Sequence, residues 1–84
     1  MTSLTTIRID AVELASVKPG AACRVSHIDG NPSLRKCLED MGFTAGAEIV
    51  VERKVRDNVI VKVRGARVAI GGPDARRVVV TPGA

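Results

Sequence analysis

The chain has 84 residues, 45% of them apolar and 26% charged, with two cysteines, a single aromatic residue and a net charge of +4 at pH 7. This length holds one hydrophobic core and excludes a second domain, and the apolar fraction excludes a disordered chain. No apolar run approaches the roughly 20 residues of a membrane span, and Met1–Asp10 carries Arg8 and Asp10 without an apolar stretch, which argues against a secretory signal and for the cytoplasm.

Residues 1–12 show no clear period and read either as a loose leader or as an edge strand over Thr5–Ile9. Lys18-Pro19-Gly20 then marks a tight turn, because proline presets the first central position and glycine accepts the second. Ala21–Asp29 reads as a strand with Cys23 and Val25 on one face and Arg24 and Ser26 on the other. Its alternation fails at Ile28, which predicts a bulge.

A helix is expected over about residues 32–41. Asn31 suits the N-cap and Pro32 the first turn, where a missing N–H costs nothing. Leu34, Cys37, Leu38 and Met41 recur at helical spacing, so all four are expected on the core side, with Cys37 a small buried hydrophobe. Gly42 supplies the left-handed residue that closes helices, and Phe43 can fold back on the last turn while staying partly exposed.

Two strands follow, Glu48–Val55 and Asn58–Arg64, joined by a short loop at Arg56-Asp57-Asn58. Ile49 and Val51, with Arg53 next in the alternation, share one face; Val59, Val61 and Val63 point inward. Gly65 marks a turn, Arg67–Ile70 a short strand, Gly71-Gly72-Pro73 a break, residues 73–77 a helical turn, and Val78–Thr81 the last strand. The fold class is therefore mainly β: a small barrel of five to six short strands with one inserted helix.

The charge is uneven. Residues 43–84 hold eight basic side chains and four acidic ones, against five of each in residues 1–42. An acidic protein surface or a phosphate backbone would be drawn to that half, although a solvated exterior has the same composition.

Three blocks together resemble the FeoA family. They are Leu14-x-x-Val17-x-Pro19-Gly20 running on to Val25 and Ile28; Leu34-x-x-x-Leu38-x-x-Met41-Gly42-Phe43-x-x-Gly46-x-x-Ile49-x-Val51; and Val61-x-Val63-x-Gly65-x-x-Val68-Ala69-Ile70, running on to Ala75 and Val78-x-Val80. The chain departs from the family pattern at Ala45, where proline is common, and at Gly71-Gly72-Pro73, where polar residues are commoner. The resemblance implies a single SH3-like barrel, a shape shared with the C-terminal domain of iron-dependent repressors. It also implies a non-enzymatic cytosolic accessory of ferrous-iron uptake with no cofactor of its own. Its partner would be the cytoplasmic part of FeoB, a membrane transporter with a GTP-binding domain.

The residues themselves argue against catalysis. His27 is the only histidine, and no nucleophile motif lies near it. Cys23, His27 and Cys37 are spaced by three and nine residues, unlike the paired short spacings of tetrahedral metal sites. With no export signal, the two cysteines read as reduced thiols. Gly71-Gly72 lacks the lysine and hydroxyl residue of a phosphate-binding loop. Partner contact is expected from Arg53, Arg56, Arg64 and Arg67 as one basic group, with Phe43 beside the helix closure as a second surface. The alternative, nucleic-acid binding by a small basic barrel, would rest on phosphate contacts alone, since single-strand binders stack bases on aromatic platforms, and this chain has no Trp or Tyr and one Phe that also reads as core.

Overall fold

The computed structural model describes residues 11–82; the expected leader or edge strand at Thr5–Ile9 lies outside them. Six strands form one antiparallel sheet: β1 (Val12–Glu13), β2 (Ala22–Ile28), β3 (Glu48–Val55), β4 (Asn58–Val63), β5 (Ala66–Gly71) and β6 (Val78–Pro82). A nine-residue helix, α1 (Pro32–Asp40), lies between β2 and β3, and a single turn, α2 (Gly72–Ala75), between β5 and β6. The sheet runs β1-β6-β2-β3-β4-β5, so β2 joins two halves and β5 ends the sheet. Strands β2 to β6 all send side chains into one cluster, and among the described residues no polar or charged side chain is buried.

The local chemistry explains these elements. Ala21 N–H donates to Lys18 O at 3.1 Å, closing the Pro-Gly turn, and Gly20 N–H donates to Val51 O at 2.6 Å, which ties that turn to β3. The β2–β6 register slips between Val25 and His27, so Ser26 is the extra residue and Ile28 turns inward beside Cys23 and Val25. Asn31 Oδ1 accepts the Leu34 N–H at 2.8 Å, capping α1. At its other end Gly42 N–H reaches Glu39 O at 3.0 Å and Phe43 N–H reaches Leu38 O at 3.1 Å, the paired bonds of a Schellman closure, which needs the φ of +112° that glycine takes at position 42.

Two expectations about this region are corrected. Only Leu38 of α1 is fully buried, with Leu34 half-buried; Cys37 and Met41 are exposed. The helix meets the core along a narrow line through Leu34 and Leu38, and Cys37 lies about 100° around the axis from Leu38. Phe43, by contrast, is wholly buried, because the closure turns the chain back over Leu38 and carries the ring into the core.

The loop between β3 and β4 is two residues, Arg56-Asp57, with Asn58 already in β4. Val59, Val61 and Val63 are buried as the alternation requires. In β3 the alternation breaks: register slips between Val51 and Arg53, so Ile49 and Val51 face the core but Arg53 does not. The helical turn expected at 73–77 is α2, which starts one residue earlier and ends two earlier, with Ala75 buried.

Candidate interaction surface

Cross-strand register sets which side chains share the outer face of β3, β4 and β5. One row is Val50, Lys62 and Arg67; the next is Arg53, Ile60 and Ala69. Lys62 and Ile60 face out because Val61 and Val63 face in. Arg53 joins them because Glu52 is the extra residue of the β3 bulge. Arg67 Nε donates to Glu52 Oε1 at 2.6 Å, reaching across β4. With the Arg67 side chain 68% exposed, that pair fixes a position more than it adds stability, at about 1 kcal/mol or less. Val50 and Val55, also on β3, are among the few large apolar side chains left exposed.

The four arginines singled out in the sequence do not form one cluster. Arg56 sits in the β3–β4 turn and Arg64 in the β4–β5 turn, at opposite ends of β4 and thus about 20 Å apart at 3.3 Å per residue. Arg53 and Arg67 lie on the face between them, together with Lys62, which sequence reasoning passed over. Its signal was present, since inward Val61 and Val63 leave Lys62 outward. Arg64 is held by a 2.9 Å hydrogen bond from Nη2 to Thr44 Oγ1. Beside it a shallow groove of about 520 Å³ is lined by Ala47, Glu48, Val50, Lys62, Arg64 and Gly65. Phe43 contributes no surface at all and leaves the set of contact residues.

The sulfur and imidazole groups are not gathered. Cys23 points into the core, and burial pushes its thiol up from the ordinary 9.0, away from the thiolate that binds metals. Cys37 is exposed on α1, and His27 is exposed on β2 with Nδ1 3.2 Å from Ser26 Oγ. Among the described residues no three His, Cys, Asp or Glu side chains come together as a metal site would require. Nor is any described helix long and apolar enough to cross a membrane. With its one aromatic ring buried, the described surface offers no stacking platform for bases. What the outer face can do is present fixed cations around an apolar strip, a surface suited to an acidic protein partner.

The FeoA domain matches residues 12–82. A crystal structure of an iron uptake regulatory protein, FeoA, is similar at 36% identity, with a TM-score of 0.82 over 89% of this chain and all of that one. The zinc complex of Stenotrophomonas maltophilia FeoA, described as a prokaryotic SH3 domain protein, is similar at 24% identity and a TM-score of 0.73, covering 82% of this chain and 88% of that one. The IdeR of T. acidophilum aligns at 26% identity and a TM-score of 0.80 over 94% of this chain but only 37% of its own length. No curated protein matches. The six-stranded sheet with its inserted helix is thus an SH3-like fold, and the match across nearly all of the described residues places the chain in the FeoA family.

Proposed function

We propose that this chain is a non-enzymatic cytoplasmic accessory of ferrous-iron uptake that docks on the cytoplasmic portion of a FeoB-type GTP-dependent transporter and supports or regulates it. The observation that carries the reading is the FeoA match over residues 12–82. The role suggested for the S. maltophilia relative, that of a bacterial ferrous-iron-transport activating factor, agrees with it. The outer face adds a physical means: Arg53, Lys62 and Arg67 around Val50 and Ile60 would steer an acidic patch into place and then cover apolar surface.

Binding of the purified chain to the soluble GTP-binding portion and to the detergent-solubilised transporter, each at about 0.05 and 0.2 M salt, tests it. Saturable binding that weakens several-fold at the higher salt is expected. Lys62→Glu should slow association with little change in the unfolding midpoint, since Lys62 is exposed. Binding to neither preparation, with salt-dependent retention of random-sequence nucleic acid, would reject the reading in favour of phosphate contacts.

A further inference from the structure

Strand β5 ends the sheet, and among the described residues nothing pairs with its outer edge. The loop joining it to β4 is Arg64-Gly65, with φ of +53° and +78°, the backbone of a two-residue hairpin turn. In such a hairpin the flanking residues, here Val63 and Ala66, exchange main-chain hydrogen bonds, and every second pair beyond them does the same. Ala66, Val68 and Ile70 therefore turn their N–H and C=O groups to β4. Those of Arg67 and Ala69 point away from the sheet. Both residues are exposed, and among the described residues no strand pairs with this side.

We propose that the β5 edge is a strand-addition site for an extended, acidic segment of a partner protein, which pairs with the main chain of Arg67 and Ala69. The side chains around the edge define the segment. A residue of the added strand opposite Arg67 would lie on the outer face, beside Arg67 and one strand from Lys62, where a carboxylate is favoured. Its neighbours would turn toward half-buried Val68 and buried Ile70, where aliphatic side chains are favoured. The segment thus alternates acidic and aliphatic residues, with specificity from the side chains and affinity from the main chain. A second copy of this chain is a poorer occupant. It would place two Arg67 side chains on one face and join two bodies that each carry a net charge of +4. The inference rests on the proposed transporter reading only for the partner's identity; the edge and its chemistry stand without it.

Two probes separate the two ideas: a short capped peptide alternating Glu and Val, and the detergent-solubilised transporter. Amide hydrogen exchange in the free chain should show Arg67 and Ala69 exchanging at least tenfold faster than Val68 and Ile70. Either probe, when bound, should slow Arg67 and Ala69 at least tenfold. Ala69→Pro removes an N–H that no ladder bond uses, as prolines at sheet edges do. It should keep the unfolding midpoint within a few degrees while weakening both probes at least tenfold. Peptide protection at Arg67 and Ala69 without transporter binding would uphold the edge and reject the transporter. Transporter binding indifferent to Ala69→Pro, with no peptide protection, would reject the edge and leave the transporter reading intact. Amides already protected in the free chain, or a concentration-dependent dimer abolished by Ala69→Pro, would overturn the acidic-segment proposal. The exchange measurement needs no variant, so it decides even if Ala69→Pro fails to fold.

Discussion

Replacing Phe43 separates the two roles open to the chain's only aromatic residue, a contact surface or a core anchor. In the structure the ring is 0% exposed, and its own N–H closes α1 on Leu38 O. A buried phenyl ring removes about 200 Å² from water, or about 5 kcal/mol at 25 cal/mol per Å². Core Phe→Ala substitutions cost about 3–5 kcal/mol. A domain of 84 residues is held by about 5–10 kcal/mol in total. Its unfolding entropy is about 0.18 kcal/mol per kelvin, so a loss of 4 kcal/mol lowers Tm by about 20 °C. Thermal unfolding by circular dichroism, with urea titration for the midpoint, measures this directly. Phe43→Leu keeps most of the volume, should cost only about 1 kcal/mol, and should leave partner affinity unchanged. An alanine variant that melts within about 3 °C of the parent yet loses partner binding would refute the buried ring and restore Phe43 to the surface.

Leu38→Asp should abolish folding, because it buries an unpaired charge. Cys37→Ser on the exposed side of the same helix should shift stability by less than about 0.5 kcal/mol, and a thiol reagent should label Cys37 well before Cys23. Burial raises the Cys23 thiol above the ordinary 9.0, so in alkali the folded chain keeps a proton that the unfolded chain releases. That contribution is intact below pH 9 and is lost as pH rises from there toward the folded value, so stability measured by urea titration should fall in alkali and Cys23→Ala should flatten the fall. A Cβ on Gly72 would collide with the carboxylate of Asp57, so Gly72→Ala should destabilise and Asp57→Ala should recover part of the loss in a double-mutant cycle. Deleting Glu52, the extra residue of the β3 bulge, should leave the chain folded with Tm within about 5 °C.

Most of the fold was legible because punctuation and period agree along the chain. Pro19-Gly20, Asn31-Pro32, Gly42 and Gly65 each name a local geometry, and Val59, Val61 and Val63 name a face. The bulge at Ser26 was readable too, since an aliphatic Ile28 on the polar side of the alternation has no other account. The bulge at Glu52 was not, because the two residues after it, Arg53 and Lys54, are both charged and read alike in either register. The helix face misled for a different reason: Cys37 satisfies the spacing, but this helix meets the core only along the line of Leu34 and Leu38, a narrower stripe than the spacing allows. The basic group failed as a cluster because distance along a chain says nothing about ends of a strand. Arg56 and Arg64 are eight positions apart and six of those between them are extended.

The β3 bulge is what brings Arg53 to the outer face. In a regular strand, Val51 facing in would put Arg53 on the same side, opposite Val59, where Lys54 now stands exposed. Inserting one residue between them reverses every later side chain. Arg53 then joins the row of Ile60 and Ala69, and Lys54 turns to the other side, where its Nζ donates to Ala15 O at 2.7 Å. The inserted residue is itself acidic and half-buried, and it catches Arg67 from two strands away. Arg67 is thereby laid across β4 instead of standing over its own strand. That posture keeps the long side chain off the β5 edge and leaves its main chain open, while the cation stays near enough to favour an acidic segment there. The β3 bulge thus sets the spacing of cations on the face where the chain is proposed to meet its partner.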